Sequence, residues 1–591
     1  MLFGKHLNRY YLRYGWMLLL GVLILVMEDV LILILPEKYQ LVVNGLTSGV
    51  VEYRGQMMTF DLAFLLDEIC LPMLTIILTM LVGRFFWRFL FYGFSVRAIA
   101  DLRNRMFDRA RHLSAEFYSR NKVGNLMSLF TNDLETVSEC LGHGSVLTVD
   151  ATLIGVMALR KMFLMDVTLS LLSLIPMALL LVMAILMGRH MSKKWKLRQE
   201  AYSNLADFVQ ERVSGMSVVK AFVKEAVEMM SFRKLNRENA KANVAHTKAS
   251  VLMRTLVTLF VQSVVAIIFG FGGYLVYQGK FNAGQIVEFY AYFNNIIFPV
   301  MAISDLIDRS SKGRASLARV EELLDAEPDV VDAPDAKPMP EIQGDIRVQN
   351  LRFCYPGETT EVLKNISFHI KAGEKVGIVG RTGAGKTTLV DLLLRTYNVP
   401  DGTVFLDGED INTLKVRDLR AGFAYVPQDN FLFSDTIENN IAFGVDTPDN
   451  ARDAAVLADV DENIQGFPLG YETVLGERGV TVSGGQKQRI SIARALMKNA
   501  PILIMDDSVS AVDTATEKTI LSNIHRVREG KTTIVIAHRI STVEAMDRIL
   551  FLEDGRLVAQ GSHQALLDTC PAYQKLSLLQ KLNEEGGSLN G

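Results

Sequence analysis

The sequence predicts a membrane domain that is an all-α bundle of six helices, followed by an α/β domain with a phosphate-binding loop. Three features of the chain support this order. The apolar residues are concentrated before residue 305, in stretches long enough to cross a bilayer as helices. Near residue 380, a glycine-rich run stands between a short β-branched stretch and a helix pattern. An acidic, proline-rich segment without periodicity separates the two parts, as expected of a semi-rigid linker.

Six apolar stretches are predicted to cross the membrane. A helix needs roughly 20 residues to span about 30 Å of hydrocarbon, and each stretch approaches that length. The third and fourth stretches are expected to be joined by a tight polar hairpin from Arg160 to Asp166, and Pro299 is expected to interrupt the sixth. The stretches lie at residues 15–36, 66–94, 143–164, 167–189, 254–277 and 284–305.

Basic residues orient these helices. Lys and Arg are frequent before the first stretch and in the long segments 95–140 and 190–250, whereas the remaining loops are short and poor in both. The positive-inside tendency therefore places both termini and both long segments in the cytoplasm. Six crossings return the chain to this same side. Both long segments have helical periodicity and few turn residues, so the membrane helices are expected to extend well into the cytoplasm.

The glycine-rich run is the most informative motif. Residues 380–388 read GRTGAGKTT and fit the phosphate-binding template G-x-x-x-x-G-K-[ST]. The backbone N–H groups of such a turn close around phosphates, and the following helix directs its positive N-terminal end at the same anion. Lys386 adds a positive charge, and Thr387 offers a hydroxyl ligand to Mg²⁺. The predicted site for a nucleoside triphosphate consists of Gly380, Arg381, Thr382, Gly383, Ala384, Gly385, Lys386, Thr387 and Thr388.

Further motifs resemble those of ABC transporters and follow the order that this family has, over roughly residues 345–570. Residues 482–486, VSGGQ, are similar to the signature LSGGQ, with Val in place of Leu. The resemblance implies that the nucleotide is ATP, contacted by Tyr355, which stacks on adenine, and by Ser483, Gly484, Gly485, Gln486 and the D-loop residue Asp513. It implies Mg²⁺ association for Thr387, Gln428 and Asp506, and catalytic roles for Gln428, Asp507 and the switch residue His538.

The two long cytoplasmic segments resemble the intracellular loops of ABC exporters. The matches run from Asp101 to Asp133 and from Gln210 to Glu225, and residues 473–479 are similar to the exporter-specific X-loop. In such exporters the loops end in short coupling helices that sit in grooves of the ATPase domains. The resemblance implies a half-transporter that works only as part of a dimer, because signature loops complete a nucleotide site across the dimer interface. Its expected parts are a transmembrane domain at 1–325, a linker at 326–344, an ABC ATPase domain at 345–580 and a flexible tail at 581–591.

Asp507 departs from the family pattern. The family usually places a glutamate at this position, where it polarises the attacking water. The aspartate side chain is one methylene shorter, and misplacing a catalytic group by about 1 Å can cost on the order of 10²-fold in rate. Because the signature is intact, the chain resembles the degenerate-site half of heterodimeric bacterial multidrug exporters. Its expected partner is a different half-transporter, whose active site Ser483, Gly485 and Asp513 complete; the alternative is a homodimer in which Asp507 is the base.

Several ionisable residues lie inside or near the predicted membrane stretches. Charged side chains at membrane depth are costly, so they are expected to face the bundle interior or a water-filled path. The acidic residues either recognise a cationic amphiphile in a cavity or pair with the arginines for structural reasons. The resemblance favours a small lipophilic, drug-like substrate. The residues are Glu28, Asp29, Arg84, Arg88 and Asp150.

Composition narrows the remaining classes. A net charge of −3 over 591 residues gives no indication of nucleic acid as a partner, and the four cysteines have neither CxxC pairs nor metal-binding spacing. The apolar stretches argue against a soluble ABC ATPase of the DNA-repair kind. A gated channel and an importer with the exporter fold stay open. The resemblance implies an integral multi-pass protein in the lipid bilayer of the bacterial plasma membrane, with a cytoplasmic ATPase domain.

Overall fold

The computed structural model describes residues 4–339, 341–476, 479 and 482–588. The chain divides into two compact units, and each has its own hydrophobic core. The first unit consists of Met1–Arg111 and Gly124–Asp325, and the second of His112–Val123 and Ala326–Gly591. A short segment of the first long cytoplasmic loop therefore packs with the C-terminal part of the chain.

Helices dominate the first unit. A small antiparallel hairpin is formed by β1 (Val50–Tyr53) and β2 (Gln56–Thr59). Turns of π-helix occur at Leu65–Cys70, Leu129–Asp133 and Cys140–Gly144. The α-helices up to residue 325, of which α5 belongs to the second unit, are α1 (Asn8–Ile32), α2 (Leu35–Ser48), α3 (Leu62–Phe64), α4 (Leu71–Ala110), α5 (Ala115–Arg120), α6 (Val123–Ser128), α7 (Leu134–Glu139), α8 (Ser145–Met165), α9 (Val167–Ser214), α10 (Met216–Ala221), α11 (Glu225–Tyr277) and α12 (Ala283–Asp325).

Helical structure covers the predicted membrane stretches, apart from a turn at Leu33 and Ile34 within the first. Among the residues described, four helical segments are long and apolar enough to cross a membrane, and they cover the first, second, fifth and sixth stretches. α8 covers the third stretch, and the described apolar part of α9, Val167–Leu180, is shorter than those four. The topology of six crossings stays a prediction. The four segments are Asn8–Ser48, Leu62–Ala110, Glu225–Tyr277 and Ala283–Asp325.

The connection between α8 and α9 is shorter than predicted. The polar hairpin expected from Arg160 to Asp166 is wrong, because α8 continues to Met165 and α9 begins one residue after Asp166. The Asp166 side chain accepts a hydrogen bond of 2.7 Å from the N–H of Leu169. This N-cap starts α9 at once, so no longer loop is needed.

Pairs of helices bury the core of the first unit. α1 packs against α4, α8 against α12, and α9 against α11. α12 continues through Pro299, so the predicted interruption of the sixth stretch is wrong. A Cβ at Gly155 of α8 would lie 3.3 Å from Pro299 Cβ, and glycine there lets α8 approach the proline ring. Packing against α8 thus supports α12 where proline removes a backbone donor.

Two sheets form the frame of the second unit. Its strands are β3 (Ile346–Phe353), β4 (Leu363–Ile370), β5 (Lys375–Gly380), β6 (Val404–Leu406), β7 (Glu409–Asp410), β8 (Phe423–Val426), β9 (Ile502–Asp506), β10 (Thr532–Ala537), β11 (Arg548–Glu553) and β12 (Arg556–Gly561). The larger sheet has the order β12-β11-β5-β10-β9-β8 and is parallel except at the β11–β12 edge. The smaller, antiparallel sheet has the order β4-β3-β6-β7. The central strands β9 and β10 are buried along their whole length, as expected of a covered parallel sheet.

Helices flank these sheets. The tail predicted from residue 581 is helical as far as Ser588. The last helix, α21 (Pro571–Ser588), continues into it from a turn that is anchored at Gln580, and helix propagation is easier than initiation. The helices of this unit that follow the first strands are α13 (Lys386–Leu393), α14 (Val416–Ala421), α15 (Ile437–Ala442), α16 (Ala451–Leu457), α17 (Asp461–Gln465), α18 (Gly484–Lys498), α19 (Thr514–Val527), α20 (His563–Thr569) and α21 (Pro571–Ser588).

The segment predicted as a linker, 326–344, lies along the second unit and forms no helix among the residues described. The Arg395 guanidinium donates to the carbonyl of Val331 at 2.9 Å. Asn398 Nδ2 donates to the carbonyl of Asp329 at 2.6 Å. Side chains of the α/β unit therefore satisfy backbone carbonyls of this segment, which limits its freedom without regular structure.

Candidate nucleotide-binding site

The glycine-rich loop joins β5 to α13. Two of its glycines are required for steric reasons. A Cβ at Gly380 would lie 2.2 Å from the carbonyl oxygen of Leu552, and a Cβ at Gly385 would lie 2.6 Å from Leu363 Cδ2. Gly385 also has a φ of 90°, a conformation that side chains of L-residues disfavour. The loop therefore keeps this path only with glycine at both positions.

Lys386 is directed into the loop. Its side chain is buried, and Nζ donates hydrogen bonds to the carbonyl oxygens of Gly380 at 2.9 Å and Arg381 at 3.1 Å. Burial lowers the pKa of Lys386, while the charges of Asp506 and Asp507 act in the opposite direction. The ammonium group is thus held where a polyphosphate enclosed by the loop would meet it.

Asp506 ends β9 beside the loop. It is 1% exposed, and its carboxyl group is hydrogen-bonded to the side chain of Thr387. Burial raises the pKa of Asp506, while the bond from Thr387 lowers it. Among the residues described, Asp506 Oδ2 has no hydrogen-bond partner. A buried carboxylate oxygen without a donor, next to a hydroxyl group, is a donor set that fits Mg²⁺, which prefers oxygen ligands.

Asp507 follows with a φ of 45°, a left-handed conformation that aspartate tolerates better than most residues. Its N–H donates to the carbonyl of Ile536 at 2.9 Å, and its own carbonyl accepts a hydrogen bond of 2.9 Å from Ser510 Oγ. Because these bonds fix the backbone, the length of the side chain sets the reach of the carboxylate. His538 follows β10 and lies near enough to Asp506 to lower the pKa of that carboxyl group.

Tyr355 lies beside the first turn of α13. Its hydroxyl group is 2.9 Å from Thr388 Oγ1. Its ring packs edge-on against Phe353 and Tyr397, with centroid distances of 5.2 and 5.3 Å. This aromatic cluster holds the Tyr355 ring close to the phosphate-binding loop. Gln428 follows β8 and is exposed.

The predicted signature residues begin α18 and contact the D-loop, which consists of residues 510–513. Ser483 Oγ accepts a hydrogen bond of 3.3 Å from the Gln486 N–H, and Gln486 Oε1 accepts one of 3.0 Å from the Ser483 N–H, which forms a capping box. A Cβ at Gly485 would lie 3.0 Å from the carbonyl oxygen of Ala511. Gln488 Oε1 accepts the N–H of Ala511 at 2.9 Å. The start of α18 and the D-loop are therefore fixed to each other.

Gln580 is a residue of this region that the sequence analysis missed. Its Nε2 donates to the carbonyl of His538 at 2.7 Å, and its Oε1 accepts the N–H of Ile540 at 2.8 Å. The amide thus holds the backbone on both sides of Arg539. No sequence signal indicates this pairing, because Gln580 lies 42 positions after His538.

The predicted site residues fall into two groups in the structure. One group meets at the phosphate-binding loop, and the other lies at the signature segment and the D-loop. Asp513 belongs to the second group and caps α19, where its carboxylate accepts the N–H of Thr516 at 3.0 Å; this bond lowers the pKa of Asp513. The predicted X-loop residues Glu477 and Arg478 lie outside the described residues. The first group, which meets at the phosphate-binding loop, is Lys386, Thr387, Asp506, Asp507 and His538.

In the first unit, Glu28 forms the structural pair that one of the two interpretations expects. Arg84 Nε donates to Glu28 Oε1 at 2.9 Å, and the indole N–H of Trp87 donates to the other carboxylate oxygen. The Arg88 guanidinium lies over the Trp87 ring, 5.3 Å from its centroid. Glu28 is thus committed to partners inside the protein.

The α/β unit has a phosphate-binding loop with an adjacent carboxylate, and it follows long apolar helices. These features define a membrane-bound P-loop ATPase. A family model described as the ABC transporter transmembrane region matches residues 18–300, and one described as ABC transporter matches residues 363–510. The chain belongs to the ABC transporter family. It is an ATP-driven translocase in which a transmembrane domain and an ATPase domain are fused, and transporters of this kind act as dimers in a lipid membrane.

Relatives match the chain over almost its whole length. It is 34% identical, over 99% of its length and 98% of the relative's, to the probable multidrug resistance ABC transporter ATP-binding/permease protein YheI of Bacillus subtilis. It is 36% identical, over 90% of its length and 92% of the relative's, to an ATP-dependent lipid A-core flippase of Syntrophus aciditrophicus. A solved structure of a bacterial Atm1-family ABC exporter with ATP bound shares 27% identity over 96% of this chain and 99% of that chain, with a TM-score of 0.77. The predicted exporter fold and ATPase class are confirmed.

Removing the Gln580 amide is expected to slow the catalytic step. Gln580→Ala should lower the kcat of ATP hydrolysis at this chain's own site roughly three- to tenfold with KM for ATP nearly unchanged, once the ATP site of the other subunit has been inactivated, because it frees the backbone that positions His538. Steady-state hydrolysis measures both parameters. Lys575→Ala, an exposed position on the same helix, is the control. A proportional loss of folded protein, with kcat per folded molecule unchanged, would show that Gln580 serves stability alone.

Proposed function

We propose that this chain is a subunit of an exporter that moves small lipophilic, drug-like compounds out of the cytoplasm, with its ATPase domain on the cytoplasmic face of the bacterial plasma membrane. The observation that carries the proposal is a cavity of about 640 Å³ in the first unit, lined by side chains such as Leu25, Trp87 and Phe298. Cavities of this size and character accommodate drug-sized ligands. The name of the relative YheI supports the same substrate class.

Inside-out membrane vesicles test this proposal. Vesicles enriched in the assembled transporter are expected to accumulate a fluorescent lipophilic dye when ATP is added, and not with a non-hydrolysable ATP analogue. A gated channel would instead show ATP-dependent conductance without accumulation against a gradient. An importer would move the dye in the opposite direction, and either result would contradict the proposal.

Lipid translocation is a second candidate, favoured by the 36% identity to the lipid A-core flippase. The carboxylates of Glu28, Asp29 and Asp150 outnumber the guanidinium groups of Arg84 and Arg88 in the cavity lining and weigh against it, because the excess negative charge repels a phosphate-bearing headgroup. Fluorescent phospholipid offered to the same vesicles separates the two candidates. Movement of the lipid without movement of the dye would favour lipid translocation.

The partner that we propose is a different half-transporter with a competent ATP site. The backbone of Asp507 is fixed by its bonds to Ile536 and Ser510, so the shorter side chain cannot be offset by a small shift of the chain. Such a carboxylate is a poor general base for the attacking water. The signature segment keeps its capping box and its contact with the D-loop, and it therefore suits the partner's active site.

Each residue has a defined role in this proposal. Lys386 and the loop amides hold the phosphates, and Tyr355 stacks on adenine. Thr387 and Asp506, with Gln428, would hold Mg²⁺, which would neutralise phosphate charge. His538 would contact the γ-phosphate of the bound ATP. Asp506→Asn is expected to remove the Mg²⁺ dependence of ATP affinity, which nucleotide titrations with and without Mg²⁺ measure.

Lys386→Ala tests whether the two ATP sites are unequal. The variant should weaken nucleotide binding by this chain's own loop, because the buried ammonium group is lost. Substantial ATP hydrolysis should remain, because the partner's loop holds the nucleotide that is hydrolysed. Photolabelling of this chain with azido-ATP and the turnover of the assembled transporter measure the two effects. Turnover at background level would remove the main support for a degenerate site.

Asp507 provides the complementary test. Asp507→Asn should change steady-state hydrolysis less than about twofold if the aspartate is already a poor base. Asp507→Glu restores the missing methylene and is expected to raise hydrolysis at this site. Neither variant changes a residue of the phosphate-binding loop, so nucleotide binding serves as the control. A collapse of activity in Asp507→Asn would establish the aspartate as a working base and favour the homodimer.

A further inference from the structure

We propose that Asp29 and Asp150 form a binding site for lipophilic organic cations inside the first unit. This inference rests on the proposed export function and names the substrate class that the cavity takes. The two carboxyl groups come from different helices, α1 and α8, and both line the cavity of about 640 Å³.

The charges around the cavity compensate these two residues only in part. Glu28 is bound by Arg84 and Trp87, so its charge is already paired. The described lining residues carry the carboxylates of Glu28, Asp29 and Asp150 against the guanidinium groups of Arg84 and Arg88, an excess of one negative charge. The excess belongs to the pair Asp29 and Asp150, because Glu28 and Arg84 neutralise each other directly.

Asp29 is the group that a cationic ligand would contact most directly. It is 5% exposed, and its carboxyl group contacts that of Asp150. Among the residues described, no hydrogen-bond partner reaches Asp29 Oδ2. A buried carboxylate without a donor is strongly unfavourable, more so inside a membrane, and two adjacent carboxylates add repulsion. A proton shared by the two carboxyl groups, or a cation held between them, removes both costs.

The other walls of the cavity select an organic cation. Trp87, Tyr92 and Phe298 provide aromatic surface, which attracts protonated or quaternary amines and phosphonium ions. Leu25 and Ile154 add aliphatic surface for the apolar part of such a molecule. A metal ion is disfavoured, because no group of three His, Cys, Asp or Glu side chains that could hold one occurs among the described residues.

Two ions of the same size and opposite charge test the site. Equilibrium dialysis measures binding of tetraphenylphosphonium and tetraphenylborate to the detergent-solubilised assembled transporter. The unaltered protein is expected to bind the phosphonium at least about tenfold more tightly than the borate. Asp29→Asn and Asp150→Asn should each raise the Kd for the phosphonium by about tenfold or more, because each removes one of the two attracting charges. Glu52→Gln, on the exposed face of β1, should leave it unchanged.

Each outcome decides the question. Equal affinity of the unaltered protein for both ions overturns the proposal without any variant. Unchanged phosphonium affinity in both asparagine variants, with ATP binding intact as proof of folding, also overturns it. Where an asparagine variant does not fold, the comparison of the two ions still decides. ATP-dependent accumulation of a neutral dye together with indifference to the phosphonium would reject the cation site alone, whereas failure to accumulate any lipophilic compound would reject the export function.

Discussion

Gly485→Glu is expected to abolish nearly all ATP hydrolysis and transport by the assembled transporter, a fall of at least about 10²-fold. A Cβ at this position would already lie 3.0 Å from the carbonyl oxygen of Ala511 and 3.5 Å from Val512 Cγ1, so any side chain pushes on the D-loop. The family resemblance places Ser483 and the neighbouring amides at the γ-phosphate of the opposite subunit. Preorganised donors of this kind are each worth about 10²–10³ in rate. Steady-state hydrolysis and vesicle transport measure the loss.

The site that Gly485 serves can be separated from the site that binds nucleotide in this chain. Nucleotide binding by the Lys386 loop should be nearly unchanged in Gly485→Glu, since the two motifs lie in one domain but serve different sites. Gly485→Ala should show a smaller loss of hydrolysis, because one methyl group meets the Ala511 carbonyl at the edge of tolerable contact. Near-normal hydrolysis by Gly485→Glu would mean that this signature faces the idle site, and the assignment of the degenerate half would be reversed.

The parts of the molecule that the sequence predicts well are local. The strand, loop and helix around Lys386 follow from a short motif, because the positive φ of Gly385 and the anion-binding turn depend on adjacent residues. The helix start at Ser483 is similarly local, since Ser and Gln three positions apart form a capping box. The orphaned oxygen of Asp506 is also consistent with its predicted association with Mg²⁺.

Features that depend on packing between distant segments could not be predicted. Whether Glu28 pairs with Arg84 depends on the rotation of α1 against α4, which apolar stretches do not encode at single-residue precision. The contact of Gln580 with the backbone at His538 depends on where α21 packs on the larger sheet. The close packing of α8 on Pro299 of α12 depends on Gly155 of the neighbouring helix. In each case the deciding partner lies far away in the sequence.

Gly385→Ala is expected to weaken ATP binding by this chain's own loop by at least about tenfold. Gly383 provides the matched control, because it also has a positive φ, 83°, but a Cβ there would meet nothing within 4 Å. Both alanine variants carry the cost of a left-handed conformation, about 1–2 kcal/mol, which corresponds to roughly a tenfold change. Gly385→Ala carries in addition the contact of 2.6 Å with Leu363 Cδ2, in a buried strand that has little room to move.

The two glycine variants should therefore rank clearly in nucleotide affinity and in melting temperature, with Gly385→Ala the worse. Photolabelling of this chain with azido-ATP and thermal unfolding of the assembled transporter measure both quantities. Equal defects would show that backbone conformation, and not the contact with Leu363, fixes the loop. In the proposed heterodimer this loop belongs to the slow site. Substantial hydrolysis should therefore persist in Gly385→Ala, as in Lys386→Ala. The exception is a change of loop conformation that distorts the signature segment, which serves the partner. Loss of hydrolysis in Gly385→Ala with retention in Lys386→Ala would reveal such a distortion, and loss in both would favour two equivalent sites.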